Sequence, residues 1–292
     1  MAGFADVGAM GWSNADAMAQ RMKSSNTDIQ DATEFDYCEK HPEMVEDIDR
    51  LTIDSVVTFE GLIVASEYVK LNGMEIIPST IDVTSKSDIE LPFNYKTPEN
   101  ANIDTRMDYR FIDLRNEKNI LMFQIQSLLV KSMRDYLYSK DFTEIHTPKL
   151  IGTASESGSE VFEVKYFDTK AYLAQSPQFY KQMAMASGFE KIFEVAPAFR
   201  AENSNTNRHT TEFTSFDLEF SYIDSYEDVM DLEEQLLVAG LSKVKETYGE
   251  KIKEVFGVDV VVPKTPFPRI KLQDLYKELE KRYNYENKFD EI

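Results

Sequence analysis

Apolar and polar positions alternate over two runs in the N-terminal third of the chain. Residues 55–66 (SVVTFEGLIVAS) and 74–86 (MEIIPSTIDVTSK) have the period of two that is typical of β-strands. Between them lies Asn72-Gly73, a dipeptide that favours tight hairpin turns. Two strands cannot bury a core alone. We therefore expect this β-rich segment to pack against other parts of the protein.

The period changes near residue 117. Apolar residues between 117 and 140 recur at helical spacing and predict a helix with a broad apolar face. The run FTEIHTPKL (142–150) then predicts a short strand that stops at Pro148. Two further strand-like runs follow at 161–167 and 170–175.

The second half of the chain alternates between helices and strands. A helix is predicted to begin at Pro177, because proline is favoured in the first helical turn. Two strand-like runs follow at 190–199 and 214–223, and a long helix is predicted over 226–249. Hairpins outnumber the crossovers of a doubly wound sheet. The pattern therefore predicts an α+β fold, an antiparallel sheet flanked by helices.

Composition narrows the class of protein. Of the 292 residues, 42% are hydrophobic, which is enough for a substantial core. A single cysteine, Cys38, excludes an internal disulfide framework, and no Cys/His cluster indicates structural zinc. No apolar run approaches the roughly 18–20 residues of a membrane span. These features predict a cytoplasmic protein with no membrane segment.

The charge is strongly negative, with a net value of −20. This balance argues against a broad basic face for nucleic acid, although binding depends on local rather than total charge. Acidic residues are concentrated over 28–50. Residues 1–44 are therefore expected to form an irregular acidic arm.

The candidate chemistry begins with motifs that the chain lacks. It has no GxxxxGK[ST] loop, no GxGxxG after a strand, and neither HExxH nor GxSxG. Side chains would therefore have to bind any nucleotide phosphate, a task that suits arginine. In FRAENSNTNRHTTEF (199–213), the donors are Arg200, Arg208 and His209. Glu202 would share a face with Arg200 if the strand continued, and could accept from an amino group such as that of adenine.

Two more clusters carry complementary groups. In AQSPQFYKQ (174–182), Gln178 and Lys181 are three residues apart on a helix whose N-terminus favours anions. In the loop TASESGSE (153–160), Glu156 could bind an ammonium group. Together, the three clusters would suit an acidic α-amino acid beside a nucleotide phosphate.

Each cluster also has a purely structural interpretation. The charges of 199–213 could form exposed ion pairs in a hairpin, which contribute little stability. Residues 174–182 could be a capped, solvent-facing helical turn. The small residues of 153–160 could be a flexible connection. Residue chemistry alone leaves these alternatives open.

Two segments resemble motifs of a known family. FTEIHTPKL resembles motif 1 of the class II aminoacyl-tRNA synthetases, and FRAENSNTNRHTTEFTSFDLEF (199–220) closely resembles motif 2. Over residues 45–292 the chain is most similar to aspartyl-tRNA synthetases. The resemblance implies the family's antiparallel sheet flanked by helices and a homodimer interface that includes Pro148.

The resemblance also implies a domain order. Residues 45–95 would be part of an OB-fold-like anticodon-binding segment, and 96–116 would be a linker. Residues 117–292 would be the N-terminal part of the catalytic domain, with motifs 1 and 2. Residues 1–44 would remain the acidic arm.

The family's reaction is the ATP-dependent activation of aspartate, followed by its transfer to tRNA(Asp). By resemblance, Arg200 would be catalytic and contact the α-phosphate of ATP, and Glu202 would bind the adenine amino group. Arg208 and His209 would lie near the outer phosphates and the acceptor end of the tRNA. Mg²⁺ would bind the phosphates, with no metal ligand assigned in this chain.

The amino acid would be recognised by three residues. Glu156 would bind the ammonium group of aspartate, and Gln178 and Lys181 would select the side chain. Lys181 would pair with the side-chain carboxylate. Lysine within QSPQxYKQ would also separate this chain from asparaginyl-tRNA synthetases.

The sequence departs from the family at both ends. The glycine-rich motif 3 and the acidic metal ligands that follow motif 2 are not found, and 45–95 resembles only the later part of the OB-fold. We therefore expect an incomplete form of an aspartate–tRNA ligase. One alternative is a non-catalytic paralogue that acts as a binding or dimerising module. Another is a paralogue that amidates aspartate with ATP.

Overall fold

A computed structural model describes residues 42, 51–52, 54–65, 67, 73–87, 91–154, 161–203, 206 and 209–283. The predicted acidic arm, 1–44, lies outside these residues apart from position 42. The chain divides into two compact units, 1–113 and 114–292. The division falls within the segment 96–116 that the sequence predicts as a linker.

The first unit contains the predicted β-hairpin. Strands β1 (Val56–Ala65) and β2 (Met74–Ser85) pair antiparallel, which confirms the two strands read from the alternating pattern. Gly73, immediately before β2, has a φ of 61°, which glycine adopts without the cost that a Cβ would add. The assignment of this hairpin to an OB-fold stays a prediction.

The end of the first unit is partly helical. A 3₁₀ turn at Pro98–Asn100 precedes α1 (Ile103–Asp108) and α2 (Arg110–Asp113). The carboxylate of Asp113 is fully buried and binds the side chains of Arg106, at 2.6 Å, and Arg110. A predicted linker therefore carries two short helices joined by a buried ion-pair cluster.

The second unit contains four helices and six strands among the described residues. In chain order they are α3 (Glu117–Tyr138), β3 (Thr143–Glu144), β4 (Leu150–Ile151), β5 (Glu163–Tyr166), β6 (Thr169–Leu173), α4 (Gln178–Ala186), β7 (Lys191–Phe199), β8 (Glu212–Phe220), α5 (Tyr226–Phe256) and α6 (Leu272–Tyr283). No helix in the described ranges is both long enough and apolar enough to span a membrane.

The strands of this unit form two three-stranded sheets. One has the order β4-β6-β5 and is antiparallel throughout. The other has the order β3-β7-β8, in which β7 and β8 are antiparallel over nine residue pairs. The fold is α+β with mainly antiparallel sheets, as predicted. The exception is β3, which pairs parallel to β7 through only two residues.

The two faces of the β7–β8 pair differ in character. One face packs on α3 and α5 and forms the main core. Its buried members are Leu137, Phe142, Phe193 and Leu236, with Phe216, Leu218 and Phe220 packed against them. The opposite face carries Ile192 and Phe213 towards its ends, with the charged residues Glu194, Asp217 and Glu219 and the small residues Ala196, Ala198 and Ser215 making up the rest.

The boundaries of helices α5 and α4 differ from the predictions. Helix α5 begins with a capping box formed by Ser225 and Asp228. It continues past Gly249, the predicted end, and stops at Gly257, whose φ of 71° is the left-handed conformation that ends helices. Helix α4 begins one residue later than predicted, with Pro177 as its N-cap.

Candidate functional site

Helix α4 presents a lysine to the charged face of β8. The Lys181 ammonium lies 2.9 Å from Oδ1 of Asp217 and 3.1 Å from Oε2 of Glu219, and its side chain is only 14% exposed. Burial by itself lowers the pKa of Lys181. The hydrogen bonds and negative charges of Asp217 and Glu219 outweigh this effect and raise the pKa above its ordinary value. Lys181 is therefore held charged in one position.

The two carboxylates share a face because side chains alternate along a strand. Phe213, Ser215, Asp217 and Glu219 occupy every second position of β8 and point to the same side. The sequence interpretation did not single out Asp217 or Glu219. The signal was present, because two acids at period two interrupt the apolar run TSFDLEF.

At the other end of this face lies an arginine. Arg200 directly follows β7, and its backbone N–H donates to the carbonyl of Thr211 at 2.9 Å. Its guanidinium carbon lies 5.3 Å from the centre of the Phe213 ring, in a cation–π arrangement. The guanidinium of Arg200 therefore packs on an aromatic ring that lies on the same face of β8 as Asp217.

Small side chains separate the two charged ends. Ala196 pairs with Ser215 and Ala198 with Phe213, so both alanines share the face of β8 that carries the site. At about 3.4 Å per residue, the four steps from Phe213 to Asp217 span about 14 Å. We call the strip formed by Ala196, Ala198 and Ser215 the small-residue strip. Its side chains are all small, so the strip itself places no bulky group between the two charged ends.

Backbone hydrogen bonds join the segment before α4 to the end of β7. The N–H of Phe199 donates to the carbonyl of Ala174, and the N–H of Ala174 donates to the carbonyl of Lys149, each at 2.9 Å. Gln175, the next residue, is completely buried. Gln178 is half-buried in the first turn of α4. The cluster 174–182 and Arg200 are thus brought together, as an amino-acid and phosphate site requires.

A third acid on this face was also missed. Glu194 in β7 is 4% exposed, although it is charged and lies in the middle of a strand. Its carboxylate accepts hydrogen bonds from the backbone N–H and hydroxyl of Thr147, at 2.6 and 2.8 Å, and from the Lys149 ammonium at 3.0 Å. Glu194 therefore fixes the segment that follows β3 against the sheet.

Of the four remaining candidate residues, two lie in irregular segments and two lie outside the described residues. Strand β7 ends at Phe199, so the continuation that would align Glu202 with Arg200 is wrong, and Glu202 lies half-buried in an irregular segment. His209 is exposed, with Nδ1 2.6 Å from Oγ1 of Thr206. Arg208 and Glu156 lie outside the described residues.

Pro148, the residue predicted to lie at a dimer interface, is exposed in the connection between β3 and β4. Its neighbour Leu150 is also exposed, at 49%. Burial of Pro148 by a second copy stays a prediction.

The described residues do not fit the Mg²⁺ that the resemblance implies. Within the ranges that the structure covers, no group of three or more His, Cys, Asp or Glu side chains is arranged to hold a metal ion. The nearest candidates, Asp217 and Glu219, are already bridged by Lys181.

Comparison with known proteins agrees with the motifs. The family described as tRNA synthetases class II (D, K and N) matches residues 102–291. An aspartate–tRNA(Asp) ligase from Pyrococcus furiosus is 43% identical over 239 residues, which are 80% of this chain and 54% of the relative. An aspartate–tRNA(Asp/Asn) ligase from Methanopyrus kandleri is 44% identical over 234 residues, 80% of this chain and 53% of the relative.

Solved structures are similar as well. An asparaginyl-tRNA synthetase from Pyrococcus horikoshii, complexed with asparaginyl-adenylate, superposes with a TM-score of 0.76 at 33% identity, over 84% of this chain and 56% of that one. An aspartyl-tRNA synthetase from Entamoeba histolytica superposes with a TM-score of 0.66 at 30% identity, over 82% of this chain and 51% of that one.

The chain spans about half the length of the curated relatives it matches. The family match nevertheless covers well over half of the chain and includes helix α4 with Lys181 and the strands β7 and β8 beside Arg200. The chain belongs to the class II tRNA synthetases of the D, K and N group.

Proposed function

We propose that this protein serves as an aspartate–tRNA ligase, which activates aspartate with ATP and transfers it to tRNA(Asp). The observation that carries the proposal is the arrangement on one face of β7–β8. Lys181 is fixed by two carboxylates at one end, Arg200 is supported by Phe213 at the other, and the small-residue strip lies between them. An aminoacyl-adenylate has the matching order of charges.

Lys181 would recognise the side-chain carboxylate of aspartate. An ammonium group has three N–H donors, and Asp217 and Glu219 accept two of them. The third donor remains for the substrate. The two carboxylates carry one more negative charge than Lys181 neutralises, and this excess would attract the α-ammonium group of the amino acid.

Arg200 would act on the phosphate. The α-carboxylate of aspartate attacks the α-phosphorus of ATP, the bond to the β-phosphate oxygen breaks, and pyrophosphate leaves. Negative charge on the α-phosphate oxygens is greatest during this exchange, where a fixed guanidinium stabilises it. The ring of Phe213 keeps that guanidinium in place.

The remaining assignments rest on the resemblance. We propose that Glu156 and Gln178 contact the amino acid, that Glu202 contacts adenine, and that Arg208 and His209 lie near the outer phosphates and the tRNA end. A homodimer that buries Pro148 and a cytoplasmic location belong to the same proposal.

The test is a calorimetric titration of the full chain with non-hydrolysable aspartyl-, asparaginyl- and lysyl-adenylate analogues. We expect binding with preference for the aspartyl analogue, and a loss of at least about ten-fold in affinity on Arg200→Ala, since an interaction between a charged donor and phosphate contributes about 1.5–3 kcal/mol. A folded chain that ignores all three analogues would overturn the proposal. Unchanged affinity on Arg200→Ala would remove Arg200 from the phosphate site.

A further inference from the structure

Three carboxylates form a row on the face of β7–β8 that carries the site. Glu194 in β7 lies directly opposite Asp217 in β8, and Glu219 is two residues farther along β8. Side chains directly opposite each other in an antiparallel pair lie about 5 Å apart at Cβ, and like charges there repel. The row would therefore be unfavourable without counter-charges.

Two lysines supply these counter-charges from different elements. Lys149, after β3, binds Glu194 at 3.0 Å, and its side chain is 23% exposed. Lys181, from α4, binds Asp217 and Glu219. Each lysine thus serves its own part of the row, and of the two the proposed function assigns substrate contact to Lys181.

The Glu194–Lys149 pair is too well ordered to be an incidental surface contact. The carboxylate is nearly inaccessible, and three donors hold it. Lys149 also donates to the Thr147 hydroxyl at 2.8 Å, so both charges of the pair are fixed. Fixed charges in a poorly solvated position act on their neighbours more strongly than solvated ones.

We propose that Glu194 and Lys149 are positioning residues that set the electrostatic balance of the acidic-amino-acid site. Lys149 neutralises Glu194, so Lys181 is shared only between Asp217, Glu219 and the carboxylate of the substrate. If the neutralisation were removed, the potential at Lys181 would change without any change in the residues that touch the substrate. This inference rests on the proposed function and assigns the tuning of its preference for aspartate to the Glu194–Lys149 pair.

The proposal predicts that two single substitutions change the affinity for aspartate in opposite directions. Lys149→Gln leaves the charge of Glu194 unbalanced and weakens the binding of aspartate, whose net charge is −1, by about five-fold. Glu194→Gln leaves the charge of Lys149 unbalanced and strengthens aspartate binding by a similar factor. The double substitution restores the wild-type affinity, as does Lys149→Arg, which keeps the charge.

Asparagine provides a matched control ligand. It has the same shape as aspartate but no net charge, so both substitutions leave its affinity within about two-fold of the wild type. A purely structural role gives another pattern, because a damaged site loses affinity for both ligands in both single variants.

The experiment measures dissociation constants of L-aspartate and L-asparagine for the full chain and its four variants, with thermal unfolding recorded for each. Opposite shifts for aspartate alone, cancelled in the double variant, support the inference. Two single variants that both weaken both ligands, or that leave aspartate binding unchanged, overturn it. A wild-type chain that binds neither aspartate nor the adenylate analogue overturns the proposed function and this inference with it.

Discussion

The crossing of α3 and α5 depends on a glycine, and its substitution gives a quantitative test of the packing behind the site. A Cβ placed on Gly240 would lie 2.7 Å from Cδ1 of Leu129 and 3.0 Å from Cγ of Met133. Both distances are shorter than ordinary carbon–carbon contacts. Gly240→Ala must therefore move side chains of α3 or separate the two helices.

Two opposing effects set the change in the free energy of unfolding on Gly240→Ala. Added volume in a packed core costs about 1–3 kcal/mol. Replacing glycine by alanine within a helix contributes about 0.5–1 kcal/mol in the other direction. The net expectation is a loss of about 1 kcal/mol in the free energy of unfolding, within a range from zero to about 2.5 kcal/mol.

The same helix offers a matched control. Gly249 is also inside α5, but a Cβ there would meet nothing nearer than Cγ of Lys245 at 3.6 Å, an ordinary contact. Gly249→Ala should therefore stabilise the protein by about 0.5–1 kcal/mol. Urea unfolding followed by far-UV circular dichroism measures both effects. If Gly240→Ala proved as stable as Gly249→Ala, the close approach of the helices would be refuted.

Three further predictions concern ion pairs and caps. Asp113→Ala should cost about 2 kcal/mol, because it leaves Arg106 and Arg110 without their buried carboxylate; a value near zero in urea unfolding would contradict that cluster. Ser225→Ala should cost about 1 kcal/mol through loss of the α5 cap, whereas an unaltered unfolding midpoint would argue against the capping box. The pKa of Lys181 is raised in the folded protein, so its ion pairs stabilise the fold below its ordinary pKa of 10.5 and this contribution is lost as the pH rises through the folded value. The stability difference between wild type and Lys181→Met should therefore stay constant from about pH 7 to 9 and shrink above 10.5 in pH-dependent unfolding; a difference that grew with pH would refute the pairing.

Local patterns were sufficient for most elements. The alternation over 55–66 and 74–86 and the helical spacing over 117–140 each gave the correct element. The predicted end of α5 was wrong, because the helix continues beyond Gly249 to Phe256. Glycine ends a helix when the chain needs a positive φ there. That requirement arises at Gly257, where the apolar periodicity gives no warning.

Long-range pairing explains what the sequence did not reveal about the site. Lys181 was a candidate because of its motif, but its partners lie 36 and 38 positions away on β8. The parallel pairing of β3 with β7 likewise brings Thr147 to Glu194 across 47 positions. The available signal was Glu194 within β7 and the two acids at period two within β8, because charged residues in a buried strand need partners.

The central claim is that Lys181 recognises an acidic side chain beside a phosphate that Arg200 binds. The most direct measurement is the ratio of affinities for aspartyl- and asparaginyl-adenylate analogues in Lys181→Met. Lys243→Met serves as the control, since Lys243 forms an exposed pair with Glu246 on α5. We predict that Lys181→Met reduces the preference for the aspartyl analogue by at least about ten-fold, as expected for loss of a charge-assisted pair, while Lys243→Met leaves it unchanged. A preference that survived Lys181→Met intact would contradict the account.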